Sequence, residues 1–232
     1  MATTTIDTNT LILTEAEVKN LLDMKDVLQV VETAFKEKGN GNVQMPPKTY
    51  LTYPTFQGDL RVMPCYLPGL SISGVKIVNV HPNNSQYSIP TVMAAVILVD
   101  VATGIPKSIM GGTWLTAMRT GAASAVATKY LSKKNAKTLG LVGAGVQAIS
   151  QTLGILQVRQ IEEIFASSMH EGPLKNYLNA MEQYGITGRV KINVVKEPRE
   201  AVENIDIVCT TTPARKPAID SEWVTNGTHI NA

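Results

Sequence analysis

Cysteine is almost missing from this chain of 232 residues: Cys65 and Cys209 each stand alone in an apolar stretch. No second Cys or His lies at metal-ligand spacing from either, which excludes a disulfide framework or a zinc site as the basis of the fold and fits a reducing compartment. An excess of one charge is missing too. The formal net charge is +2 and the lysines and arginines are scattered, so neither a nucleic-acid footprint nor a membrane-surface patch is expected. The longest apolar run, around Thr91 to Val99, is too short to span a bilayer. The start, MATTTIDTNT, has neither the basic nor the apolar region of a signal peptide. These absences lead to the expectation of a cytoplasmic protein whose partners are small molecules and copies of itself. No internal repeat or low-complexity segment is visible, and 44% hydrophobic with 17% charged residues is enough for one or two packed cores.

What is present divides the chain in two. Thr14 followed by Glu17 has the spacing of a capping box, and Val27, Val30, Val31, Ala34 and Phe35 recur at helical spacing until Gly39, so two short helices are predicted at the start. From Thr49 to Met110 the runs YLTY, DLRVMPCY, GVKIVNV, TVMAAVILV and PKSIM are β-rich and divided by Pro, Gly and Asn clusters, with DVATG as a hairpin loop. From Thr113 a helix rich in small residues follows, able to let another backbone approach closely and suited to connecting domains. After Lys137, strands TLGLVGAG, EEIFASS, RVKINVV, NIDIVCTT and GTHINA alternate with helical segments between the earlier ones, the order of a parallel doubly wound sheet. The expected fold is α/β: an α+β substrate and dimerisation domain over residues 1–125, then an incomplete Rossmann domain over 126–232.

The stretch from Leu139 to Ala148 is an apolar strand running into Gly-x-Gly-x-x-Ala and a helix, the setting that a dinucleotide fingerprint requires. Gly143 permits the tight turn, Gly145 lets backbone approach a pyrophosphate, and Ala148 keeps helix near sheet. Ala144, Val146 and Gln147 complete the turn, and the helix start supplies free N–H groups. At the end of the second strand, where a carboxylate would hold the adenosine ribose, stands Ser168. It removes a charge that would repel a 2′-phosphate, yet no arginine is adjacent in sequence to claim that phosphate, so NAD and NADP both remain open. Thr210, Thr211 and Thr212 follow the fourth strand, at the carboxyl edge where such sheets bind ligands.

Several segments together resemble the ornithine cyclodeaminase and mu-crystallin family: MPPKTYL, DLRVMP, GVKIVNVHP, PTVMAAVILVD, GTWLTAMRTGAASAVATKYL, LGLVGAG and CTTTPARKP with GTHINA. Among its members the MPPK and TTTP-x-RKP segments look most like the archaeal alanine dehydrogenases. The resemblance implies that Arg61 binds the substrate carboxylate with Lys48 as a second cation beside it. It implies that Lys76 manages protons at the reacting carbon, and that Arg119 and Thr120 lie near the cofactor phosphates. Read without it, Lys76 in an alternating strand fits the solvent face at least as well, although flanking Val75, Ile77 and Val78 would favour a lowered pKa.

The activity so implied is NAD(P)-dependent oxidative deamination of a small L-amino acid, alanine first, in a homodimer. Two alternatives stand beside it: ornithine cyclodeamination, and a non-catalytic protein that holds NADPH and a small ligand. His81, His170 and His229 receive no role. Two departures from the family are noted. Met110 is followed by Gly111 and Gly112 where an acidic residue is usual, so a local contact is expected to be absent. The chain also stops at HINA, before the family's aspartate that faces the substrate amine. It therefore reads as the front of a longer protein and, by itself, as lacking turnover.

Overall fold

A computed structural model describes residues 8–87, 89–214 and 216–232. The opening segment and Arg215 of the threonine-rich motif lie outside them. The chain forms two compact units: the residues up to Leu22 with Thr33–Thr116, and Asp23–Glu32 with Ala117–Ala232. The sequence boundary at 125 and the division at 116 both fall within a single helix, α3 (Thr113–Leu131).

In the first unit, strand β1 (Leu11–Leu13) precedes helix α1 (Glu15–Leu21). The capping box is present: Glu17 N–H donates to the Thr14 hydroxyl at 3.3 Å and Thr14 N–H donates to the Glu17 carboxylate at 2.8 Å. Helix α2 (Met24–Gly39) follows and is divided between the units, its residues up to Glu32 belonging to the second and those from Thr33 to the first. Its apolar stripe is only partly used within this chain, since Val27 is buried but Val30 and Phe35 are 62% and 48% exposed. The β-rich region resolves into β2 (Thr49–Tyr53), β3 (Gly58–Leu67), β4 (Ile72–Val80), β5 (Val92–Val99) and β6 (Pro106–Gly111). These form a six-stranded sheet in the order β1-β6-β5-β4-β3-β2. Its meander β2 to β6 is antiparallel, while β1, which the sequence pattern does not reveal, pairs parallel with β6. In the hairpin loop between β5 and β6, Asp100 accepts from the backbone of Ala102 and Thr103 at 3.1 and 2.9 Å.

A carboxylate reaches the start of α3 from elsewhere in the same unit. Glu15 accepts from the backbone N–H groups of Thr113, at 3.0 Å, and Trp114, placing a carboxylate on the helix N-terminus where free donors and the helix dipole favour it. Position 111 has no room for a side chain, because a Cβ there would lie 2.6 Å from Glu15 Cα.

The second unit carries β7 (Thr138–Val142), α4 (Val146–Ile155), β8 (Glu163–Ser167), α5 (Glu171–Gln183), β9 (Lys191–Val195), β10 (Ile207–Thr210) and β11 (His229–Asn231). Its five strands are all parallel, in the order β11-β10-β7-β8-β9, the doubly wound arrangement that the alternation predicts. On one face Leu139, Leu141, Ile164, Ala166 and Ile207 pack with Ile155 of α4 and Tyr177 and Met181 of α5. On the other, Val142 and Val208 pack with Ala201, Val202 and Ile205. The small residues of α3 serve close packing: a Cβ on Gly121 would lie 2.1 Å from the Ser150 carbonyl oxygen of α4. Among the described residues no helix is long and apolar enough to cross a membrane.

Candidate functional site

In the second unit the turn after β7 is built by its neighbours. Gly143 has φ +98°, a left-handed conformation that L side chains rarely adopt. A Cβ there would also lie 2.8 Å from the Thr211 carbonyl oxygen and 2.9 Å from Thr212 Cγ2. Gly143 N–H donates to the Ser167 carbonyl at 2.9 Å, and the Thr211 hydroxyl donates to the Gly143 carbonyl at 2.5 Å. Strand order explains this meeting: β8 and β10 flank β7, so Ser168, one residue beyond β8, and Thr210 to Thr212, at and beyond the end of β10, come to the carboxyl edge beside the turn. The crossover on either side of β7 leaves a crevice there, the usual ligand position in such sheets.

Gly145 differs from Gly143. It is the N-cap of α4, with φ −89° and ψ −167°, a backbone open to any residue, and a Cβ on it would meet nothing within 4 Å. The folded chain alone therefore gives no reason for glycine at 145. Beyond it the N–H groups of Val146 and Gln147 begin the helix and have no intrahelical acceptor. Gln147 adds a buried side-chain oxygen, Oε1, without a hydrogen-bond partner among the described residues, a costly arrangement unless a ligand or water completes it. Unused space, free donors and an orphaned acceptor fit a polyanionic ligand with hydroxyl donors, such as a dinucleotide. Arg119 and Thr120 lie on α3 just before its Gly121 contact with α4, with Arg119 exposed. Ser168 is half-buried and its hydroxyl donates to the His170 carbonyl at 3.0 Å.

In the first unit, register decides which side chains meet. Arg61 lies opposite Val78, and Lys76 lies opposite Met63, across the β3–β4 ladder. Directly opposed residues share a face and alternate residues return to it. Arg61 and Lys76 are therefore diagonal neighbours on one face, about 7 Å apart at Cβ, and both are half-buried. Tyr50, opposite Arg61 on β2, belongs to the same face, and Lys48 immediately precedes β2 as an exposed side chain.

Sequence reading overlooked Asp59. Its carboxylate accepts from Arg61 Nε and Nη2, both at 2.8 Å, and the Arg61 guanidinium lies over the Tyr50 ring at 5.5 Å. The hydrogen bonds to Asp59, more than its charge, hold Arg61 above its ordinary pKa. The signal was an acid two residues before an arginine in an alternating strand. Of the histidines, His81 stacks on Tyr53 at 5.8 Å and His170 precedes α5. Cys209 is buried, which pushes its thiol up to about 12, so it is no nucleophile near neutrality.

Two compact units, one a doubly wound sheet with an open glycine turn and the other a sheet with paired cations, define a dinucleotide-enzyme architecture. The chain belongs to the Ornithine cyclodeaminase/mu-crystallin family, whose pattern matches residues 8–232. It is 43% identical over 223 residues to alanine dehydrogenase from Archaeoglobus fulgidus, covering 96% of this chain and 66% of that protein. It is also similar to the structure of Thermococcus litoralis Δ1-pyrroline-2-carboxylate reductase in complex with NADH and L-proline. That match has a TM-score of 0.91 at 38% identity and covers 95% of this chain and 68% of the other. An archaeal alanine dehydrogenase dimer with bound NAD matches with a TM-score of 0.87 at 42% identity, over 96% and 67% of the respective chains. The chain thus spans about two thirds of the length of these relatives.

Proposed function

We propose that this chain is the substrate- and dinucleotide-binding part of an NAD(P)-dependent oxidoreductase that acts at the nitrogen-bearing α-carbon of a small amino acid, with L-alanine its substrate. The observation that carries the reading is the coexistence in one chain of an open, donor-bearing glycine turn and a sheet face with Arg61 and Lys76 one diagonal step apart. Bound dinucleotide would supply the hydride acceptor. Gly145 and the amides of Val146 and Gln147 would take its pyrophosphate, with Gln147, Ser168, Thr210, Thr211 and Thr212 around it and Arg119 and Thr120 contributing from α3. Arg61 would bind the substrate carboxylate by charge-assisted hydrogen bonds, with Lys48 as a second cation. Lys76 would hold or move a proton at the reacting centre. The overall change is alanine, NAD⁺ and water to pyruvate, ammonium, NADH and a proton.

A second reading is reduction of a cyclic imino acid to proline, favoured by the higher TM-score with the Thermococcus litoralis reductase. It uses the same carboxylate contact and the same hydride step in reverse. Cyclodeamination of ornithine would use that step twice, without net NADH. A single preparation assayed with L-alanine and NAD⁺, with Δ1-pyrroline-2-carboxylate and NADH, and with ornithine separates the three. NADH formation from alanine is expected. Binding of NADH or NADPH without turnover of any of them would overturn the enzymatic reading in favour of a binding protein.

The chain is further proposed to pair with a second copy. The sheet face opposite Arg61 is apolar, with Ile12, Leu51 and Ile109 exposed by 63%, 56% and 39%, and exposed patches of this kind mark interfaces. Light scattering should give twice the chain mass, and a monomer at micromolar concentration would refute it.

A further inference from the structure

The guanidinium of Arg61 has five N–H donors in a planar fork. Asp59 accepts from Nε and Nη2 in the side-on bidentate arrangement, at 2.8 Å each. Nη1 and the second N–H of Nη2 remain on the adjacent end-on edge, whose parallel donors also match a carboxylate. Among the described residues the remaining contact of the group is the face of Tyr50, 5.5 Å from Cζ. One contact fixes the edge of the fork and the other its plane. The ion pair is partly exposed, at 31% and 21% for the two side chains, and joins residues two apart on one strand, so it ties no distant segments together. Its effect is to reduce the freedom of a long side chain before a ligand arrives, which strengthens binding by lowering the ordering cost.

We propose that Asp59 is the positioning residue for carboxylate recognition: by holding one edge of Arg61 it presents the other edge to the substrate carboxylate. The proposal rests on Arg61 being the carboxylate anchor. A competing role is equally concrete, since an acid bonded to the anchor could simply compete with the substrate, and the two predict opposite signs.

The test uses the full-length protein and measures KM and kcat for L-alanine oxidation and Δ1-pyrroline-2-carboxylate reduction. Calorimetric Kd values for L-alanine and L-proline with NADH present, the Kd of NADH and the melting temperature are measured beside them. Arg61→Ala should raise KM, or Kd of the amino acid, at least tenfold. If it does not, the reading of the site fails and the inference with it. Asp59→Asn keeps the size but replaces one acceptor by a donor that faces the fork. It should raise the same constants about tenfold, equivalent to about 1.4 kcal/mol, leaving kcat and the NADH affinity within about twofold. Asp59→Glu should recover most of the loss, and Asp59→Asn added to Arg61→Ala should change nothing further. Unchanged or tighter substrate binding in Asp59→Asn, with Arg61→Ala impaired, would overturn this proposal alone. So would a large fall in melting temperature in both Asp59→Asn and Asp59→Ser, which would make the pair structural.

Discussion

Glycine 143 and glycine 145 are two residues apart in one turn, yet the structure predicts opposite consequences for replacing them. Gly145→Val adds a side chain to extended backbone with nothing within 4 Å of its Cβ. The fold loses only the preference of an N-cap for glycine over valine, about 0.5–1 kcal/mol, or roughly 1–4 °C in a chain of this size. Dinucleotide binding should suffer far more. Losing two charge-assisted bonds between amides and pyrophosphate, each about 1.5–3 kcal/mol, raises Kd by about a hundredfold or more. Gly143→Ala places Cβ on a residue at φ +98°, 2.8 Å from the Thr211 carbonyl oxygen. Backbone strain of about 1–3 kcal/mol together with that overlap should lower the melting temperature by roughly 5–10 °C.

Fluorescence titration with NADH and NADPH, and thermal unfolding with and without ligand, read both effects. Cofactor at a hundred times its Kd adds about 2.7 kcal/mol to the parent, about 5–11 °C, and should add almost nothing to Gly145→Val. Parental affinity in Gly145→Val would refute the assignment of the turn to a pyrophosphate. An unchanged melting temperature in Gly143→Ala would refute the division of roles.

Three further outcomes follow from other parts of the molecule. Glu15→Ala should destabilise the protein by about 1–2 kcal/mol by uncapping α3, and Glu15→Gln by less because an acceptor oxygen remains; equal melting temperatures for all three proteins would show that the carboxylate does not act as a cap. Burial first, then the charge of Arg159, lowers the pKa of His229 from 6.5 against a hydrogen bond with Asn231 that raises it. The unfolded chain therefore takes up this proton first, so stability is complete above 6.5 and declines as pH falls from there to the lower folded value; a pH series of melting temperatures should show this loss reduced in His229→Gln, and an unreduced loss would place its origin elsewhere. Cys209, buried and pushed up to about 12, should resist a thiol reagent at neutral pH until denaturant is added, whereas half-buried Cys65 should react slowly in the folded protein; mass mapping that finds Cys209 modified first would contradict the packing of the second unit.

Much of this architecture is written locally. The β-rich runs between Thr49 and Met110, the Thr14 and Glu17 cap, and the strand entering Gly143-Ala-Gly145 each depend on residues a few positions apart, and the structure follows them closely. The three-residue β1 was hidden because so short a strand has no period to detect and is formed only by its ladder with β6. The exposed side of α2 was equally invisible, since helical spacing shows that a stripe exists but not what covers it.

The chemistry-bearing residues divide in the same way. Sequence alone determined which cations and glycines were available, because motif spacing and charge are properties of neighbours along the chain. Tertiary structure decided their relations: the β3–β4 register put Arg61 and Lys76 on one face, and strand order brought Thr211 against Gly143. It also gave Glu15 to the start of α3 across nearly a hundred residues. Such pairings depend on ladder register, strand order and the space left for a side chain, which are set only when distant segments pack together.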